Sequence, residues 1–277
     1  MDQMIYLSEH IKSHALYGDL YAALTGAFAA RGIEYRLLAD TNDVWLRDFM
    51  PIRTRNDRWI SFRYEPSYLQ KYDELRTDYQ KKISPQLDLP IIPSKINLDG
   101  GNVVFSPSRR RAIISDRVFD ENKDMDRSVL TAKLEQQLEA EIIFIPALEP
   151  YKDMTGHADG MVRFLDENTV LGNEPIGGGE LEAEIKQCLS DYGIDVIDFP
   201  YYETGKVKNG IVSAAGSYLN YLETERCIFL PQFGGKQNRD AEAIAKAKKL
   251  FQKEIVPIPC AELAIHGGVL NCISWEM

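Results

Sequence analysis

The chain lacks most of what would place it at a membrane, on nucleic acid or in an oxidising compartment. No apolar run approaches the roughly 18–20 residues that a membrane span needs, so no membrane partner is expected. Met1-Asp2-Gln3-Met4-Ile5 offers neither the basic start nor the apolar core of a secretory leader. Only 4 cysteines occur in 277 residues. They stand far apart, without Cys-x-x-Cys or zinc-type spacing, and form no disulfide framework; a reducing, cytoplasmic setting is the expectation. Positive charge is scarce as well, since 32 Lys and Arg against 42 Asp and Glu leave a formal net charge of −10. Phosphate binding needs a basic stripe, and the cluster Arg109-Arg110-Arg111 is too small to be one, so no nucleic acid partner is expected. No Pro-, Gly- or Ser-rich linker and no low-complexity segment divides the sequence. Residues 1–277 are therefore read as a single domain with a core of ordinary size.

What is present is an internal period. Helical patterns recur at 18–30 (Tyr21, Leu24, Phe28), 68–82, 126–139 (Leu130, Leu134, Leu138), 180–192 (Leu181, Ile185, Cys188, Leu189, Tyr192) and 240–252 (Ile244, Ala247, Leu250, Phe251), the last behind Asn238 or Asp240 as a cap. A β-like run follows each: Ile33–Ala39, Leu89–Pro93, Ile142–Pro146, Val196–Pro200 and Ile255–Pro259. Pro93, Pro146, Pro200 and Pro259 stand 53, 54 and 59 residues apart, and proline cannot donate to a strand ladder, so each should stop its strand. Five αβ units of about 55 residues account for the length, and units of that kind share a core with their neighbours. The expected class is α/β, a ring of five αβ units with five-fold pseudosymmetry. An ordinary α/β sandwich with evenly spaced helices is the alternative.

After each β-like run comes a polar segment at a comparable point of the repeat. These are Thr41–Asp48, Asn97–Asn102, Gly156–Gly160, Ala214–Asn220 and the stretch Ala264–Trp275 that contains Cys272. In a ring of repeats, equivalent loops point to one axis, so a cysteine, a histidine, several carboxylates and an asparagine would converge. Such a set suits attack on a guanidinium carbon. Asp48 and Asp159 would grip the paired N–H donors of the planar cation, as carboxylates grip arginine. The Cys272 thiolate would be the nucleophile, His157 the acid and base, and Asp99 the group holding His157 in its tautomer. Gly267 and Gly268 would let another group come close to the strand-like run that holds Cys272. Carboxylates near Cys272 should raise its pKa, so a protonated His157 or the bound cation must favour the thiolate.

Singly, each residue has a plainer reading. Cysteine is commonly buried for packing, Arg47-Asp48 can be a surface ion pair, Asp99-Gly100-Gly101 is an ordinary turn signal, Trp45 suits a core, and Asn220 can bond backbone. Cys188, Cys227 and Cys260 are assigned to packing, and His10 and His14 to no chemistry, while His266 is divided between support of Cys272 and plain surface. No metal and no cofactor is expected. A metal site of His157, Asp159 and Cys272 is the minor alternative, thiolate with so few imidazoles being uncommon.

Several of these stretches are also familiar together. Asp43-Val44-Trp45-Leu46-Arg47-Asp48, Gly156-His157-Ala158-Asp159 with Arg163-Phe164, Ser217-Tyr218-Leu219-Asn220-Tyr221, Leu230-Pro231-Gln232-Phe233-Gly234 and Asp240-Ala241-Glu242-Ala243 occur in this order. In them the chain resembles the agmatine deiminase and bacterial peptidylarginine deiminase family, within the pentein superfamily of guanidino-group-modifying enzymes. The resemblance implies a five-bladed αβ propeller, a covalent thiouronium intermediate, and ammonia and a ureido compound as products. It implies Cys272, His157, Asp99, Asp159 and Asp48 as catalytic residues, and Trp45, Arg47, Asn220 and Gly268 beside the two aspartates in substrate binding. The partner it implies is a small cationic guanidinium compound, and exposed ring edges are compatible with a homo-oligomer. Amidino transfer to an amine and a silent, non-catalytic binding pentein are the alternatives. The chain departs from the family at Asp99, where Glu is usual, and around Cys272, where His266-Gly267-Gly268-Val269-Leu270-Asn271-Cys272 stands for Gly-Gly-Gly-Asn-Ile-His-Cys.

Overall fold

A computed structural model describes residues 3–14, 16–149 and 153–277. The chain divides into two compact units. One is formed by the chain up to Arg47 together with Phe199–Met277, the other by Asp48–Asp198.

Five three-stranded sheets carry the fold, and each follows one plan. In the second unit these are Ile52–Arg53, Trp59–Arg63 and Ile91–Asn97, then Val103–Phe105, Arg111–Ser115 and Glu141–Ile145, then Val162–Phe164, Thr169–Asn173 and Asp195–Phe199. The first unit holds Leu222–Glu223, Cys227–Gln232 and Glu254–Pro259. Its other sheet is permuted: the C-terminal strand Ser274–Glu276 lies antiparallel to Ile5–Ser8, which runs parallel to Tyr35–Leu38. The first pair of every sheet is antiparallel. The pair that follows is parallel in the sheets that end on Tyr35–Leu38, Ile91–Asn97, Glu141–Ile145 and Glu254–Pro259, and a parallel pair needs a crossover connection. Helices supply it at Gly18–Ala29, Arg127–Leu138, Glu180–Ser190 and Asp240–Leu250. The five β-like runs expected from the sequence are the five third strands, each at the edge of its sheet.

The sequence dictates these elements through burial. Leu130, Leu134 and Leu138 recur every fourth residue and are wholly buried, at about 1.5–3 kcal/mol of transfer free energy each. The strand Arg111–Ser115 is apolar on both faces because it is covered on both: Ala112 and Ile114 join one core cluster, Ile113 the next. Trp275 packs on Tyr6 with ring centroids 5.2 Å apart, which anchors the terminal strand as expected.

Three expectations need correction. Residues 68–82 form no α-helix but a chain of short turns at Ser67–Leu69, Asp73–Leu75 and Tyr79–Ile83. Tyr72 and Leu75 are exposed while Tyr79 and Ile83 are buried, so only the end of the segment meets a core and no continuous apolar face forms. Pro93 does not stop its strand, which runs on to Asn97; on an edge the missing N–H can face away from the ladder. Cys272 lies in a turn just before the terminal strand, not within it. No helix among the described residues is long and apolar enough to cross a membrane.

Candidate active site

All five polar segments lie between the third strand of one sheet and the first strand of the next. Those of the second unit meet around one imidazole. His157 precedes the short turn Ala158–Gly160 and is buried. Its Nε2 lies 2.9 Å from Asp99 Oδ2 and its Nδ1 3.5 Å from Asp48 Oδ1. Asp159, on the same turn, is 2% exposed. Burial opposes the charged imidazolium, but the charge of Asp48, the hydrogen bond and charge of Asp99, and the charge of Asp159 together outweigh it. They push the His157 pKa up to about 10.

Gly101 is what lets this cluster close. Its N–H donates to Asp48 Oδ1 at 3.2 Å. A Cβ there would fall 2.6 Å from Asp48 Oδ1 and 2.7 Å from His157 Nδ1, so the plain turn reading of Asp99-Gly100-Gly101 is insufficient. Asn102 fixes the histidine loop: its Oδ1 accepts from the Ala158 and Ser115 N–H groups at 3.2 and 2.9 Å.

The first unit organises Cys272. Asn220 Oδ1 accepts from the Cys272 N–H and from its Sγ, both at 3.3 Å. The Asn220 carbonyl accepts from the Asn271 N–H. Tyr218 ties the asparagine segment down by donating to Asp240 Oδ1 at 2.7 Å, while Asp240 also accepts from the Phe233 and Gly234 N–H groups. Arg47 is clamped on Glu276 at 2.6 Å and donates to the Asn271 carbonyl, and its own N–H reaches the Cys272 carbonyl. Gly268 lies beneath Trp45, whose ring would stand 2.5 Å from an added Cβ. Cys272 is half-buried, in a turn whose Leu270, Asn271 and Ile273 are buried.

A family model for Porphyromonas-type peptidyl-arginine deiminase matches residues 13–277. The chain belongs to that family. Agmatine deiminase from Pseudomonas fluorescens is 33% identical over 99 residues, 35% of this chain and 24% of that protein. The alignment thus spans about a quarter of the length of the curated relatives. Agmatine deiminase of Enterococcus faecalis shares the fold with a TM-score of 0.77 at 16% identity, over 99% of this chain and 93% of that one. C. jejuni agmatine deiminase gives 0.70 at 18%, over 99% and 92%. These likenesses establish the architecture of this peptidyl-arginine deiminase family member as α/β with pentein-like mixed sheets.

Within this deiminase-family chain, the four expected polar partners Asp48, Asp99, His157 and Asp159 come together in the second unit. Cys272, Asn220, Arg47, Trp45 and Gly268 come together in the first. The reading of Arg47-Asp48 as a surface ion pair fails, because Arg47 pairs with Glu276 and Asp48 approaches His157. Cys227 and Cys260 are buried and Cys188 packs against a core cluster, in line with packing roles. His266 stands edge-on to Tyr17, which stacks on His14. Sequence reasoning missed Gly101 and Asn102, for which the run Gly-Gly-Asn is a weak signal. It also missed Tyr68, whose hydroxyl reaches Asp99 Oδ2 at 2.8 Å from a segment expected to be helical.

Proposed function

We propose that this protein is a deiminase that hydrolyses a guanidinium C–N bond of agmatine or a related arginine derivative, releasing ammonia and leaving a ureido product. One observation carries the reading: a buried imidazole is ringed by three carboxyl groups, Asp48, Asp99 and Asp159. Like charges held together out of water are destabilising, and a single imidazolium offsets only one of the three carboxylates, which leaves negative charge for a second cation to meet. A planar guanidinium, with N–H donors along each edge, suits Asp48 and Asp159. Family membership and the agmatine deiminases among the relatives support the same substrate class.

In this reading Cys272 Sγ, as thiolate, attacks the guanidinium carbon and forms a C–S bond. His157, held protonated, delivers its proton to the departing nitrogen as the C–N bond breaks, and ammonia leaves. Neutral His157 then takes a proton from water, whose oxygen attacks the thiouronium carbon. The C–S bond breaks as the new hydroxyl group releases its remaining proton to solvent, where ammonia takes it up as ammonium; the ureido product forms, and the thiolate and imidazolium return. A pKa near 10 makes a free imidazolium a poor partner at neutral pH. A cation entering among the carboxylates offsets their pull and brings His157 toward the range in which acid–base catalysis works. Asn220 holds the cysteine turn, and Trp45 and Gly268 shape its approach. The five repeats act as one catalytic domain in this proposal.

The test is a panel of agmatine, arginine, methylated arginines and arginyl peptides, scored for ammonia and ureido product, with Cys272→Ser as control. One member of the panel should be turned over and the variant should release nothing. Turnover that survives Cys272→Ser, or no product from any member, overturns the reading; product transferred to an added amine would make the enzyme an amidinotransferase instead.

A further inference from the structure

The one crossover that is not a helix delivers a side chain to the histidine cluster. We propose that Tyr68 is a positioning residue for the acid–base histidine, its hydroxyl donating at 2.8 Å to the same Asp99 oxygen that meets His157 Nε2 at 2.9 Å. The proposal rests on the acid–base role assigned to His157 above. Asp99 has no other side-chain donor among the described residues, so these two bonds together set where its carboxylate points. Tyr68 also stands edge-on to the imidazole, at 6.3 Å between centroids.

The turn carrying Tyr68 is held far more firmly than a connection requires. Glu121 accepts from the Ser67 N–H at 2.9 Å and from its hydroxyl at 2.5 Å. Asn97 accepts from the Glu65 N–H and donates to the Glu65 carbonyl, both at 2.8 Å, and donates to Glu121 at 3.2 Å. Asn97 is itself fixed by Asn122, whose side chain bonds both its N–H and its carbonyl. A three-residue turn gains little from so many anchors unless the side chain it presents must be placed accurately. Burial first, then the nearby charges of Asp99 and Asp48, holds the phenol well above its ordinary pKa, so it remains a donor.

A neutral donor on a carboxylate draws off part of its negative charge and weakens its hold on the imidazolium. The charged groups around His157 are Asp48, Asp99 and Asp159, with Arg117 and Glu121 lining the same cavity. Tyr68 alone among them modulates Asp99 without adding a charge. Removing its hydroxyl leaves His157 as the sole side-chain donor to Asp99, and the proton should be held more tightly.

The test is a 15N NMR titration of His157 in the full chain, free of substrate, for wild type, Tyr68→Phe and Tyr68 replaced by 3-fluorotyrosine, a more acidic phenol and a stronger donor. Tyr68→Phe should raise the proton affinity of His157 roughly tenfold, the size of one charge-assisted hydrogen bond. The fluorinated residue should lower it, and the pH profile of kcat/KM should move with each. An unmoved midpoint, or shifts of the opposite sign, overturns the proposal. The fluorotyrosine arm decides if Tyr68→Phe does not fold. A wild-type protein that turns over no guanidinium compound while the titration shifts as expected would sink the deiminase reading and, with it, the acid–base role, leaving only the coupling of Tyr68 to His157 through Asp99.

Discussion

Gly101→Ala isolates the geometry of the histidine cluster from its chemistry, because it adds one methyl group and removes nothing. Gly101 is not among the glycines with positive φ, so alanine meets no backbone strain and the whole effect is steric. Its Cβ would sit 2.6 Å from Asp48 Oδ1 and 2.7 Å from His157 Nδ1. Ordinary contact begins near 3.4 Å, so both groups must retreat by roughly 0.7 Å. Neither has solvent to retreat into, Asp48 being 8% and His157 6% exposed. Overpacking of this kind costs about 1–3 kcal/mol, which for a chain of this size lowers Tm by roughly 3–10 °C. A misplacement approaching an ångström at reacting groups costs about 10²-fold in rate. Loss of activity should therefore greatly exceed loss of stability. Lengthening the 3.5 Å approach of Asp48 to the imidazole should also lower the His157 pKa. Gly26→Ala is the control: it lies in the helix Gly18–Ala29 with nothing within 4 Å of its added Cβ, and should stabilise by about 0.5–1 kcal/mol. Thermal melts, ammonia release and the His157 titration read all three effects. Wild-type values for Gly101→Ala in each would refute the reasoning.

Two further outcomes follow from the titrating groups. The His157 pKa is raised, so the stability it contributes is fully present below about pH 6.5 and is lost as pH rises through about 10. Denaturant unfolding from pH 6 to 11 should show a fall on the order of a few kcal/mol that flattens in His157→Gln; an equal slope in the variant would contradict the assignment. Asp43, half-buried, has its carboxyl raised to about 7 by desolvation, against which its bond from the Trp45 N–H at 3.0 Å works. A carboxyl raised in the folded state loses stability as pH climbs from about 4 to 7 and recovers none above. Asp43→Asn keeps an acceptor for Trp45 and should raise Tm more at pH 8 than at pH 4, and equal increments at the two pH values would count against it.

The repeat was legible because the same physical demand recurs in each unit. Every third strand is an apolar run at a sheet edge, and four of the five crossovers bury a leucine- or alanine-bearing helical face, as at Leu130, Leu134 and Leu138. Periodicity exposes such elements because burial, not local propensity, selects them. The gathering of His157 with Asp48, Asp99 and Asp159 was legible through residue type and their shared place in the repeat. What periodicity cannot show is a side chain whose place is set by long-range hydrogen bonds. Tyr68, Leu69, Tyr72 and Leu75 mimic a helical stripe, yet the segment is fixed by Glu121 and Asn97, 54 and 32 residues away in sequence. Gly101 was read as a turn because a glycine required for close approach has the same signature as one required for a bend.

The departure of this chain from its family at Asp99 then acquires a physical reading. Asp99 stands two residues past the end of the strand Ile91–Asn97, and its carbonyl accepts from the Asn102 N–H at 3.0 Å, which limits how far its backbone can advance or withdraw. From that fixed origin the short side chain already reaches His157 at 2.9 Å. A glutamate carboxylate would extend about 1.5 Å further, past the ring nitrogen or into the Tyr68 hydroxyl. Aspartate at 99 and tyrosine at 68 therefore work as one device: the shorter carboxylate leaves room for a second donor, and that donor fixes an acid whose length alone would not determine its direction. The second unit thus adjusts its histidine through a residue from a different repeat segment, carried on the crossover that is not an α-helix in this chain.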